Sequence, residues 1–237
     1  MLFSFMSVSQ KQDYEKAINY HEKGFYQKSD SLFTLVINDE QSRNKIDYIK
    51  YYNRALNRMK LDEFQNAKND LDTVIMINDT FFEAYERRGL CEYYLGNYES
   101  CFKDAEQSLL LNKTNAEAYT MICVVNFYLG QYDAVIKVCN EANRYINDIR
   151  IYSYRVMANL RLGNYNDALC DINKMDQFSD YKNDLNYLES SLWYEYFTKG
   201  EMKKVCSYYQ TILNLSNNYW GFIYNDLDID KVISSCK

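Results

Sequence analysis

From residue 81 the chain reads FFEAYERRGLCEYYLGNYESCFKDAEQSLLLN, and along it a small or aromatic residue returns every three or four positions with charged residues between. That spacing follows the 3.6-residue period of an amphipathic helix rather than the two-residue alternation of a strand. The pattern breaks at Leu95 and Gly96 and resumes beyond them. It predicts two helices, from about Phe82 to Leu95 and from Tyr98 to Leu111, joined by a short turn.

The phrase around that turn recurs. YLGNYESC at 94–101 returns as YLGQYDAV at 128–135 and as RLGNYNDA at 161–168, so that Gly96, Gly130 and Gly163 stand 34 and then 33 residues apart. A near-fixed step of this length marks stacked supersecondary units. The third unit carries Tyr85, Gly89, Gly96, Tyr98 and Cys101; the fourth Tyr119, Cys123, Gly130, Tyr132 and Ala142; the fifth Tyr152, Val156, Gly163, Tyr165 and Ala168. Upstream, Tyr51, Ala55, Phe64 and Ala67 repeat the pattern with Asp62 in place of the turn glycine, and weaker copies surround Gly24 and Gly200.

These residues resemble the tetratricopeptide repeat, a helix-turn-helix unit of about 34 residues. The usual closing proline is missing, with Lys113 in its place, which would loosen the stop between units. The resemblance implies an all-α, right-handed superhelical solenoid of six units, at 10–43, 48–81, 82–115, 116–148, 149–182 and 186–216. Residues 1–9 form an N-terminal extension, and 217–237 a C-terminal cap whose DLDIDKVISS would make a short closing helix. Atypical end units suit such a stack, because an end repeat has a neighbour on one side only.

A second regularity supports the register from the residues alone. Arg54 and Asp70, Arg88 and Asp104, and Arg155 and Asp171 are each sixteen apart, one residue on each helix of a unit, and the fourth unit holds Ile122 and Val138 at the same places. Opposite charges replaced together by two apolar residues point to side chains that touch. They read as structural ion pairs, since a charge buried between helices needs a partner.

Composition narrows the classes of function. The 237 residues are 47% hydrophobic and 25% charged, with no proline, 7 glycines and 25 tyrosines, which fits long helices joined by short turns. A net charge of −6 and a pI near 5.0 argue against nucleic acid, whose phosphates call for Lys and Arg. No apolar stretch is long enough to cross a bilayer. The seven cysteines are scattered without a CxxC pair and read mostly as small core residues, in keeping with a reducing, cytoplasmic home. MLFSFMSVSQ reads as an apolar extension; its alternative is the remnant of a signal segment completed by an upstream start, which would make the chain an exported, periplasmic or envelope assembly factor.

The search for chemistry is mostly negative. His21 is the only histidine, which excludes a multi-histidine metal site or a histidine relay; it is expected on the first helix facing water. Neither a G-x-G-x-x-G nor a G-x-x-x-x-G-K loop occurs. Asp226, Asp228 and Asp230 alternate like the start of a calcium loop, but the loop glycine and closing glutamate are missing, and capping the last helix is the simpler account. No cofactor and no metal are expected. An enzyme using groove acids is the lesser alternative.

What remains is binding. The resemblance implies that the first helix of each unit lines a concave groove, to which the second unit would contribute Tyr52, Asn53, Leu56 and Met59, and the third Glu86, Arg87, Leu90 and Tyr94. The fourth would add Thr120, Val124, Phe127 and Tyr128, the fifth Ser153, Tyr154 and Met157, and the sixth Ser190 and Tyr194. Such a surface suits a protein or peptide partner, with Asn53 and Arg87 orienting it. The carboxylate clamp that some members of the family use for chaperone tails is not matched, because Tyr14, Ile18 and Glu83 stand at three of its five places. Exposed end repeats leave self-association open.

Overall fold

The computed structural model describes residues 8–42, 46–175 and 203. These residues hold ten helices and no strand: α1 (Val8–Glu22), α2 (Tyr26–Ser42), α3 (Tyr48–Lys60), α4 (Phe64–Ile77), α5 (Phe82–Tyr94), α6 (Tyr98–Leu111), α7 (Ala116–Tyr128), α8 (Tyr132–Ala142), α9 (Ile149–Leu162) and α10 (Tyr165–Met175). The sixth unit with Ser190 and Tyr194, the cap, and Asp226, Asp228 and Asp230 lie outside the described residues. The chain divides into two compact units, Met1–Ile122 and Cys123–Lys237.

One device makes the turn inside each hairpin. Gly24, Gly96, Gly130 and Gly163 have φ of 76°, 80°, 72° and 79°, a left-handed conformation open to glycine at little cost, and Asp62 takes the same place at 58°. The residue after each turn position donates its amide back across the turn: Asn97 to the Glu92 carbonyl at 2.8 Å, Glu63 to Arg58 at 2.8 Å, and Asn164 to Asn159 at 2.9 Å. This closure satisfies carbonyls that the helix end leaves open.

The stop between hairpins is made differently. At the ends of α4 and α6, the Asn78 and Asn112 side chains each accept from the amide and hydroxyl of the threonine two residues on. Local asparagine bonds of this kind turn the chain without proline. The missing proline therefore does not loosen the stop at these two places.

In the first unit α1 packs on α2, α3 on α4 and α5 on α6, while α2 meets α3 and α4 meets α5. Small residues set the closeness of each hairpin: Ala17, Ala55 and Gly89 on the first helices face Ser29, Ala67 and Cys101 at matching positions on the second, all buried. Phe33, Ile37, Leu71 and Val74 fill the space around them, each worth about 1.5–3 kcal/mol of burial. In the second unit α9 packs on α10 and α8 on α9, over Ile151, Val156, Ala168, Ile172 and Met175.

Ion pairs and hydrogen bonds cross these interfaces. Arg54 donates through Nε and Nη2 to both Asp70 oxygens at 2.9 and 2.7 Å, and Arg58 Nη1 reaches Asp70 at 2.8 Å. Arg88 grips Asp104, and Arg155 grips Asp171 at 2.6 and 2.7 Å. His21 is not simply turned to water. Its Nδ1 lies 2.7 Å from Asn57 Oδ1, Asn57 Nδ2 donates to Ser29 Oγ at 2.8 Å, and Ser29 donates to the Ala17 carbonyl at 2.7 Å, so one buried chain of bonds joins α1, α2 and α3.

Candidate partner-binding face

On α3 and α5, the groove residues expected from the register that stay half-buried after the hairpins close are Tyr52, Asn53, Leu56, Met59, Arg87 and Leu90. Helical spacing explains the set: Tyr51, Ala55, Tyr85 and Gly89 face inward, so their neighbours one position on turn to the flank. Tyr52 packs edge-on against Phe81 with centroids 5.0 Å apart. Asn53 Nδ2 donates to the Tyr14 hydroxyl at 3.4 Å, which links α3 to α1.

Arg87 and Glu86 form the charged centre. Arg87 Nη2 lies 3.1 Å from Glu86 Oε1, and Asn115 Nδ2 donates to Glu86 Oε2 at 2.9 Å. Burial pushes the Glu86 carboxyl above the usual carboxylate range, opposed by Arg87 and Asn115. Burial also works against the Arg87 charge, but Glu86 and Tyr52 outweigh it and raise the guanidinium. The Tyr52 phenol is raised by burial against the pull of Arg87.

Glu86 is therefore not the open groove residue expected from the register. Only 6% of it is exposed, because Asn115, at the start of the next hairpin, lies over it. Asn115 also caps α7, accepting from the Glu117 amide at 3.1 Å, and donates to Ser108 Oγ at 2.8 Å. Tyr94 is 58% exposed at the end of α5 and stacks on Phe64 of α4 at 4.4 Å. Thr120, on α7, turns its hydroxyl back to the Ala116 carbonyl at 2.8 Å.

Solved structures of known proteins fit this architecture. A tetratricopeptide repeat protein from Parabacteroides merdae is 18% identical, with a TM-score of 0.63 over 99% of this chain and 86% of its own. A thermophilic tetratricopeptide protein of Thermus thermophilus is 16% identical, with a TM-score of 0.57 over 77% and 98%. MamA is 16% identical, with a TM-score of 0.64 over 74% and 97%. The chain has the tetratricopeptide-repeat fold. No protein-family model and no curated protein sequence matches it.

Within the second unit of this tetratricopeptide fold, Val124, Phe127, Tyr154 and Met157 are half-buried, and Ser153 donates to the Ile149 carbonyl at 3.0 Å. Phe127 packs edge-on against Tyr132 at 5.2 Å, and Tyr128 is 67% exposed. Between α8, α9 and α10 an open cleft of about 280 Å³ is lined by Arg155, Asp171, Lys174 and Cys170, among others. Its charges are joined to one another, Lys174 reaching Asp171 at 3.2 Å. Cys170 is exposed, unlike the buried Cys91, Cys101, Cys123 and Cys139.

Sequence reasoning missed one repeated surface feature. Met76 and Leu110, thirty-four residues apart near the ends of α4 and α6, are 77% and 75% exposed. The signal was there, in apolar residues placed off the buried face. Among the described residues no helix is long and apolar enough to cross a membrane, and no group of three His, Cys, Asp or Glu side chains is placed to hold a metal ion.

Proposed function

We propose that this chain is a non-enzymatic scaffold that captures a segment of a protein partner along the first helices of its hairpins. The observation that carries the reading is the repetition of Tyr94 and Tyr128, thirty-four residues apart at the same position of α5 and α7 and both more than half exposed. Tyr94 rests one face on Phe64 and still leaves more than half of its surface exposed, and Tyr128 at the repeated position is exposed to a similar degree. Tyrosine offers a rigid apolar body and a hydroxyl, and such residues dominate protein-binding surfaces. Half-buried Tyr52, Leu56 and Leu90 add apolar area within the first unit, and Tyr154 and Met157 do so within the second.

Binding to the immobilised chain tests the reading, with wild type beside a Tyr94→Ala, Tyr128→Ala, Tyr154→Ala variant. The variant should keep its helical circular dichroism and lose at least one retained partner. Equal retention of every partner by both proteins would refute the assignment of these faces.

A further inference from the structure

One pair of positions sixteen apart recurs at the closure of the hairpins, one place along from the Arg and Asp pairs. It holds Ala55 and Leu71, Gly89 and Ala105, and Val156 and Ile172, all buried. In the hairpin of α7 and α8 the same two places hold Cys123 and Cys139. Both are fully buried, and their Sγ atoms lie 3.5 Å apart. Filling the core asks only for apolar bulk here and does not call for two thiols set against each other. This is also the hairpin in which Ile122 and Val138 stand where three others place Arg and Asp.

We infer that Cys123 and Cys139 form a redox clasp, thiols in reducing surroundings and a disulfide that fixes α7 to α8 in oxidising ones. The inference is independent of the peptide-capture reading. A disulfide holds its sulfurs about 2.0 Å apart, so the pair stands about 1.5 Å from bonding distance, a gap on the scale of a side-chain rotation. The oxidant is a small-molecule disulfide. One cysteine thiolate attacks it and releases a first small thiol, leaving a mixed disulfide; the other thiolate attacks the protein sulfur of that bond and releases a second. Two electrons pass to the reagent, and the two cysteine protons end on the released thiols. The Cys139 sulfur and burial together raise the Cys123 thiol above its ordinary range, so exchange waits for local opening of the hairpin or for folding. Once closed, the hairpin shields the bond from reductant as it shielded the thiols.

Equilibrating the full chain in mixtures of reduced and oxidised glutathione, with and without urea, tests this once free thiols are trapped by alkylation and the bonded peptides mapped. The bond between Cys123 and Cys139 should be favoured about a hundredfold more in the folded chain than in urea, the factor expected where folding already closes a loop of this length. By reciprocity the bonded chain should melt about 5–10 °C above the reduced one. Cys123→Ala and Cys139→Ala place there the residue type of Ala55 and Ala105, which the same positions already accept in other hairpins, and each should lose that rise. Equal bonding in the folded and unfolded chain, a different cysteine pair bonded in its place, or a rise that survives in both variants overturns the inference.

Discussion

Arg88 holds both carboxylate oxygens of Asp104, Nε to Oδ2 at 2.8 Å and Nη2 to Oδ1 at 2.6 Å, across the hairpin of α5 and α6. Burial lifts the Asp104 carboxyl above the usual range even so, which means the desolvation cost outweighs the bonds on that partner. Such a pair matters chiefly because neither member can be left alone. Asp104→Val should therefore cost about 3 kcal/mol, while Arg88→Ile with Asp104→Val, the residue types of Ile122 and Val138, should cost clearly less than that single change. Urea midpoints check this, and a double variant as costly as the two singles summed would contradict it.

Asp62 bears a left-handed backbone where four other turns have glycine. Asp62→Gly removes that strain but loosens the unfolded chain, so the net gain should be about 0.5 kcal/mol. Gly96→Ala should lose about 1–2 kcal/mol. Thermal melting of both variants is the measurement, and a lowered midpoint for Asp62→Gly would count against the account of the turn.

Gly89 is tight for another reason. A Cβ there would lie 3.2 Å from the Asp104 Cβ and 3.3 Å from the Cys101 carbonyl oxygen, and backbone gives way poorly. Gly89→Ala should destabilise the chain by about 1–3 kcal/mol. Chemical denaturation measures it, and an unchanged midpoint would show that α5 and α6 can separate freely.

The thiols should divide by exposure. Cys170 should react with a disulfide reagent in the native chain, while Cys91, Cys101, Cys123 and Cys139 wait for unfolding, as peptide mapping would show. Burial pushes Cys91 and Cys101 up to about 12 from an ordinary 9.0, so the folded chain holds those protons more tightly than the unfolded one. The stability they contribute is fully present below pH 9.0 and is lost as pH rises toward 12. Denaturation midpoints should fall across that window, and less steeply for Cys91→Ala with Cys101→Ala; an equal slope would rule out these thiols as the cause.

Much of the fold was legible because helical period and turn glycines are local signals. The third hairpin expected from Phe82 to Leu111 matches α5 and α6 to within a residue. The asparagine stops at Asn78 and Asn112 escaped notice because proline was the expected breaker, although Asn followed by Thr two residues on was there to read. Contacts across the stack were harder. Asn57 lies 36 residues from His21, and Asn115 lies 29 from Glu86; helix phase says which way a residue turns, not which polar side chain of the next hairpin arrives over it.

Arg88 also donates through Nη1 to Asp72 of the preceding hairpin at 2.7 Å. One guanidinium thus belongs to two hairpins, and opening either removes one of its carboxylate partners. Neighbours coupled this way come apart as one cooperative block, so the shortest excised piece of this array able to stand by itself is longer than a single repeat.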